Sequence, residues 1–489
     1  MSGTLFPPVV TLGPLDQIAP RIYVRTVFVF EINRDFEIGT ALGYIANRFW
    51  ATLRRWPFLT GQIRPASYPT RPNELELQYC FDEDLADPAQ RPDIFAYQSY
   101  GGFANYSYGY LKEHNMPPTA MNKDVLSLSP DHPKPGESCP PVTLKVTRIR
   151  DGALMLCFAT HHAIFDGGFI KTFLEFFGQG FESTVPPETF IRECKNRPTM
   201  RPYERTRIKN TAFPEYDFTP NTDLASDVNG HAMGNPDDAP EVICTLFKIS
   251  NQILQMLHGN ILVRIRHAHG PEAYVTVVDT LSALIWVYVT RARSPRLDLD
   301  EKTSFTTAVN ARARLSPCSF PADAWGNIYT QTSANGIVGD LVQMIGSNMA
   351  RDTTPSIAAA AWLIREAVDQ VSSPGYVPSR IALAASLPDP TMEGAAFRKA
   401  LQPDRAGLGC SVWLHMGADV DFGIPGTGGV ADYVRKTWSK NEGSMNIMQR
   451  RGVTKGDAPW EVLLSLREED MLRLCEPAEL GAWVSSMEN

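Results

Sequence analysis

The run Thr160-His161-His162-Ala163-Ile164-Phe165-Asp166-Gly167-Gly168 places an imidazole, and four residues later a carboxylate, in a short turn. Removing a proton from a hydroxyl or amine near neutral pH requires a group of this kind, a histidine whose tautomer and ring direction are fixed. Taken alone, a histidine at a strand end is ordinarily structural, and an aspartate at a helix start is ordinarily a cap. The flanking elements change that balance.

Val142, Leu144 and Val146 alternate with polar residues, Asp151-Gly152 is a hairpin dipeptide, and 153–159 is almost wholly apolar. A strand apolar on both faces belongs in the middle of a sheet. Behind the turn, Ile170, Phe173, Leu174 and Phe177 recur at helical spacing, so a helix over 167–178 buries one face. Asp166 then meets free backbone N–H groups at the helix start. The histidine and the aspartate thus fall at the end of a central strand.

A second signal lies some 250 residues on: Ser411-Val412-Trp413, then Asp419-Val420-Asp421-Phe422-Gly423. Together the two motifs resemble the acyl-CoA-dependent acyltransferase family known in plants as BAHD, and most of all its fungal secondary-metabolism branch, which includes trichothecene acetyltransferases. The family carries His-x-x-x-Asp in its first half and Asp-Phe-Gly-Trp-Gly in its second. Further stretches fit in order: Arg21-Ile22-Tyr23-Val24-Arg25, Trp56-Pro57-Phe58-Leu59-Thr60-Gly61, Val309-Asn310-Ala311-Arg312-Ala313-Arg314-Leu315 and Trp325-Gly326-Asn327. Two departures stand out. Ile424-Pro425 replaces the second motif's Trp-Gly, and Asn310 replaces the usual aspartate before Arg312.

The resemblance implies an α/β protein of two chloramphenicol-acetyltransferase-like domains with mixed sheets and the active site in a channel between them. The boundaries expected are 1–190, a crossover linker at 191–240, and 241–489. It implies acyl-CoA, by default acetyl-CoA, as co-substrate, with no permanently bound cofactor and no acyl-enzyme. His162 is the implied general base, since the motif counts from Asp166 to it rather than to His161. Asp166 is implied to orient the motif, pairing with an arginine of the second half, for which Arg312 is the candidate. Asp421 is expected to be structural rather than proton-handling. The phosphates of coenzyme A call for cations; candidates are Arg435 and Lys436 and the cluster Lys195, Arg197, Arg201, Arg205, Arg207 and Lys209. The implied acceptor is a hydrophobic small molecule with a hydroxyl, and the implied oligomeric state is a monomer.

Bulk properties narrow the field. The 489 residues, 43% of them hydrophobic, suffice for two to three domains with sizeable cores. A net charge of −8 gives no general affinity for nucleic acid. The eight cysteines are scattered without a Cys-x-x-Cys pair, as in a reduced cytoplasmic protein. Neither a signal peptide nor a run of ~18 apolar residues is evident. Gly426-Thr427-Gly428-Gly429-Val430-Ala431 has dinucleotide-motif spacing but follows Pro425 rather than a strand. There is no Gly-x-Ser-x-Gly elbow and no kinase companion motif to Asp-Phe-Gly. The remaining histidines lack metal-ligand spacing. Two alternatives stay open: an N-acylating or condensation-type enzyme with a carrier-bound donor, and a catalytically inactive binding protein.

Overall fold

Residues Ala153–His161 form a strand buried at every position. In this computed structural model, residues 9–79, 91–99, 106–179, 213–219, 240–315, 324–342, 352–438, 441–449 and 458–489 are described. The buried strand is the third of a five-stranded mixed sheet whose spatial order is Tyr433–Lys436, Tyr23–Glu31, Ala153–His161, Val142–Ile149 and Phe95–Ser99. Its pairing with both immediate neighbours is antiparallel, and Phe95–Ser99 adds in parallel. Having neighbours along both edges and packing on both faces is why no polar alternation survives in its sequence.

One face of this sheet carries Phe28, Phe30, Leu156 and Phe158 against the helices Ile38–Arg55 and Gly167–Gln179. The other face, with Val27, Val29, Met155 and Cys157, packs on the short helices Tyr108–Glu113 and Lys123–Leu126. The period of two along the strands dictates this split.

A second, seven-stranded mixed sheet runs in the order Tyr329–Ile337, Lys302–Asn310, Leu408–Val412, Ser444–Ile447, Trp460–Arg467, Val242–Ile249 and Ser486–Glu488. Its core is built on the helices Asn251–His269, Val277–Arg293 and Thr354–Gln370. The helix Val277–Arg293 opens on a complete capping box: Thr276 Oγ1 accepts from Asp279 N–H, and the Asp279 carboxylate accepts from Thr276 N–H. The helix Thr354–Gln370 accommodates Pro355 in its first turn. Tyr376–Ser386 and Met392–Leu401 are further helices, with Pro378 and Gly394 within them.

The two halves interlock. The edge strand Tyr433–Lys436 belongs to the second half of the chain but pairs with Tyr23–Glu31. Phe422 of the Asp-Phe-Gly motif inserts into the first core, its ring 5.0 Å from Phe28, 5.3 Å from Phe30 and 5.6 Å from Phe177. Ile424, where the family has tryptophan, is buried in the same core. Most of the linker expected at 191–240 lies outside the described residues; 213–219 packs on the second half, where Arg380 reaches both Glu215 and the Tyr216 hydroxyl. Among the described residues no helix is long and apolar enough to cross a membrane.

Candidate active site

His162 is the first residue beyond the central strand. Its N–H donates to Ile22 O at 2.9 Å and that of His161 to Pro141 O at 2.8 Å, so segments on both sides pin the strand end. The N–H groups of Ile164 and Phe165 both donate to His161 O at 3.0 Å, closing the turn. Asp166 Oδ1 then accepts from Phe169 N–H at 2.8 Å and caps the helix Gly167–Gln179.

The two histidines have different fates. His161 is buried, its ring edge-on to Tyr23 at 5.2 Å, and its Nδ1 accepts from Ala163 N–H at 3.1 Å. Burial drives its pKa down to about 3, so it is a neutral structural residue. His162 is half-buried, with Nδ1 sealed from solvent. Burial lowers its pKa too, against the opposing pull of its own main-chain carbonyl, the Asp166 charge and the Asn327 side chain. At neutral pH it therefore has a free lone pair, the state a proton acceptor requires.

Asp166 does not hydrogen-bond His162. Its carboxylate meets Arg312, whose Nη1 donates to Oδ2 at 2.8 Å and Nη2 to Oδ1 at 2.9 Å, with both side chains 3% exposed. Ile328 N–H donates to Oδ2 at 2.9 Å. Arg312 is held in turn by Ala324 O, Gly326 O and Asn310 Oδ1. Asn310, where the family has aspartate, also takes Arg312 N–H at 3.0 Å. Gly168 permits this approach: a Cβ there would lie 2.5 Å from Arg312 Nη1. The pair joins the catalytic-type turn of the first half to the end of strand Lys302–Asn310 in the second.

Two further residues converge on the turn, neither given a role by spacing or composition. Asn327 Nδ2 donates to the main-chain oxygen of His162 at 2.8 Å. Asn327 is itself anchored on Asp16, whose Oδ1 accepts its N–H at 2.8 Å and its Nδ2 at 3.2 Å. Asp16 lies in the short helix Pro14–Ile18. The ring of Tyr329 stands 5.7 Å from that of His162, with burial raising its phenol pKa.

The other expected residues lie elsewhere. Arg435, expected at coenzyme A, is buried on the far face of the first sheet. All five of its donors are taken up within the protein, by Met116 O, Asn115 O, Val434 O and both oxygens of Glu461. That engagement leaves Arg435 no spare donor for the role expected of it. Lys436 alternates to the opposite face, where Nζ donates to Asn446 Oδ1 at 3.1 Å and burial lowers its pKa. Among the described residues Lys436 has no carboxylate partner within ion-pair distance. Asp421 is exposed, its Oδ1 accepting from Gly423 N–H at 2.8 Å in a turn that closes on Val430. The basic cluster 195–209 lies outside the described residues. Among the described residues no group of three or more His, Cys, Asp or Glu side chains is placed to hold a metal ion.

Comparison with known proteins matches this arrangement to one family. The chain is 22% identical to trichothecene 8-O-acetyltransferase of Fusarium sporotrichioides over 506 residues, 97% of each chain. It is 24% identical to acyltransferase easC of Emericella nidulans over 385 residues, 76% of this chain and 75% of that one. Among solved structures, F. graminearum TRI101 with coenzyme A and deoxynivalenol superposes with a TM-score of 0.78 at 19% identity, covering 98% of this chain and 99% of that chain. A model of the Transferase family matches residues 111–480. With the strand-turn-helix histidine in the first half and its arginine tie to the second, the chain belongs to the Transferase family, the acyl-CoA-dependent acyltransferases known in plants as BAHD.

Proposed function

We propose that this protein is an acyl-CoA-dependent O-acyltransferase that moves an acyl group, by default acetyl, onto a hydroxyl of a hydrophobic secondary metabolite. The observation that carries the reading is His162: a half-buried, neutral imidazole at the end of the central strand, on a turn tied across both halves by Asp166 and Arg312. Of the relatives named above, one is a trichothecene 8-O-acetyltransferase, and the TRI101 structure holds coenzyme A and deoxynivalenol.

In the reaction His162 takes the proton of the acceptor hydroxyl as that oxygen attacks the thioester carbonyl. The tetrahedral intermediate collapses, the C–S bond breaks, and the imidazolium returns its proton to the departing thiolate. Ester and free coenzyme A result, with no acyl-enzyme. A positioned general base supplies roughly 10²–10⁴-fold. Holding donor and acceptor together in one channel supplies further acceleration. Asp166 and Arg312 act on the backbone of the turn and not on the proton. Lys436 is our candidate for contact with an anionic group of coenzyme A, supported by its lack of a carboxylate partner. The cysteines are scattered without a Cys-x-x-Cys pair, as in a protein of a reducing cytoplasm; we place the enzyme there as a monomer.

The test is acceptor-dependent thiol release from acetyl-CoA, over a panel of hydroxylated terpenoids, polyketides and alkaloids, with wild type beside His162→Ala. Release that disappears in the variant, with an unchanged circular dichroism spectrum, is the expected result. A wild type that neither binds coenzyme A nor releases thiol overturns the reading.

A further inference from the structure

One face of the second sheet is apolar and packs on its own helices; the side chains that alternate with it point the other way. On that other face a row of small and polar residues crosses four strands. Asn446 pairs with Ser411 and Ala308 with Gln331, Ser411 and Ala308 each lying two residues beyond the paired Gly409 and Thr306. Ser411 and Ala308 sit on inner strands of a seven-stranded sheet yet are exposed, so a cleft runs over the row. At one end Lys436 Nζ donates to Asn446 Oδ1. At the other, on the edge strand two residues from Gln331, Tyr329 stands 5.7 Å from His162, ring centre to ring centre. Three strand intervals, about 14 Å, separate the strands that carry the two ends.

Among the described residues the Tyr329 hydroxyl makes no hydrogen bond, and it is not sealed from solvent. Burial, and after it the charges of Glu393 and Asp166, push its phenol pKa up against the opposing pull of Arg380, so the group stays an O–H donor. We propose that Tyr329 is a specificity-determining residue on the acceptor side of the cleft, its hydroxyl donating to an oxygen on the carbon next to the one that bears the reacting hydroxyl. The inference rests on His162 being the general base and on Lys436 facing coenzyme A, which leaves the Tyr329 end to the acceptor. The oxygen that reacts gives its proton to His162 and a lone pair to the thioester carbonyl. A hydrogen bond from Tyr329 to that same oxygen would draw electron density from it as it attacks. A neighbouring hydroxyl, carbonyl or ether oxygen takes the bond without that penalty, and at 5.7 Å one two-carbon fragment can touch both side chains. The acceptors selected are therefore 1,2-diols, α-hydroxyketones and their ethers. Backbone places the tyrosine. Ile328 N–H donates to Asp166 and Asn327 Nδ2 to His162 O, so phenol and imidazole keep a fixed relation although they come from different halves.

The test is a cycle of two enzymes and two acceptors. Wild type and Tyr329→Phe are each given a 1,2-diol and the analogue that lacks only the second oxygen, in terpenoid, polyketide and alkaloid pairs, and kcat/KM is read from thiol release with acetyl-CoA. Tyr329→Phe keeps a ring against His162 and removes a hydroxyl that no described residue holds, so the thermal midpoint should not move. The preference of wild type for the diol over its analogue should shrink roughly 3–10-fold in the variant, the size of one neutral hydrogen bond. An unchanged preference in every pair overturns the proposal. So does an equal loss on diol and analogue, which would assign the hydroxyl to the chemical step. A fallen midpoint with the preference unmoved makes Tyr329 structural and overturns it too. If wild type turns over no acceptor, the acyltransferase reading fails, and titration calorimetry of the same pairs still decides the role of Tyr329. Tighter diol binding that Tyr329→Phe abolishes supports it; binding without a diol preference overturns it.

Discussion

Replacing Asp166 by asparagine separates a structural tie from a chemical one. The two carboxylate oxygens accept four bonds: Oδ1 from Phe169 N–H and Arg312 Nη2, Oδ2 from Arg312 Nη1 and Ile328 N–H. Every partner is a donor. An asparagine amide, flipped either way, therefore sets its NH2 against two donors and removes the charge that balances Arg312. Both side chains are 3% exposed, so water offers little relief. Breaking one member of a buried ion pair costs about 3–5 kcal/mol. Arg312 keeps Ala324 O, Gly326 O and Asn310 Oδ1, which should hold the loss near the lower end, ~3 kcal/mol. The assay is urea denaturation followed by circular dichroism, beside thiol release on the same sample. Asp166→Asn should lower the denaturation midpoint and the activity together, whereas His162→Ala should abolish activity with stability changed by less than about 1 kcal/mol. Activity lost in Asp166→Asn with the midpoint unmoved would refute the argument, because the carboxylate would then be acting on the proton.

Gly168→Ala should weaken the same tie from the other side: a Cβ 2.5 Å from Arg312 Nη1 and 2.8 Å from Cζ forces the guanidinium away, for a loss of roughly 1–3 kcal/mol in urea denaturation. Arg435→Ala should lower the thermal midpoint by leaving Glu461 and three carbonyls short of donors, with KM for acyl-CoA unchanged in the folded fraction; a raised KM at unchanged stability would make it a cofactor contact. Because burial lowers the pKa of His162, kcat/KM should reach its plateau on the acid side of the ordinary histidine value of 6.5, visible in a pH–rate profile. His161 has a folded pKa of about 3 against an ordinary 6.5, so the folded state binds fewer protons between those values. Its contribution to stability is complete above pH 6.5 and is lost as pH falls toward 3, a few kcal/mol in all. His161→Gln should flatten that part of a stability-versus-pH curve.

What could be read from residue order was local. The apolar run 153–159, a turn and a one-faced helix specify where His162 and Asp166 stand, because strand and helix periods and capping chemistry act over a few residues. The strands Val142–Ile149 and Val242–Ile249 and the helix after Thr276 follow from the same short-range rules. Membership of the acyltransferase family was legible in two motifs and the order of the stretches between them. The tertiary structure decided everything that depends on which face a side chain takes and which distant segment lies opposite. Arg435 and Lys436 are adjacent cations in sequence, yet strand alternation sends one into a sealed ion pair with Glu461 and the other to the opposite face. Phe422 becomes part of the first core only because the chain returns to add Tyr433–Lys436 to the first sheet. Asp16 and Asn327, 311 residues apart, meet at the carbonyl of His162. No periodicity carries such a meeting: it arises from the packing of one half against the other, and that packing aims the imidazole that the sequence places.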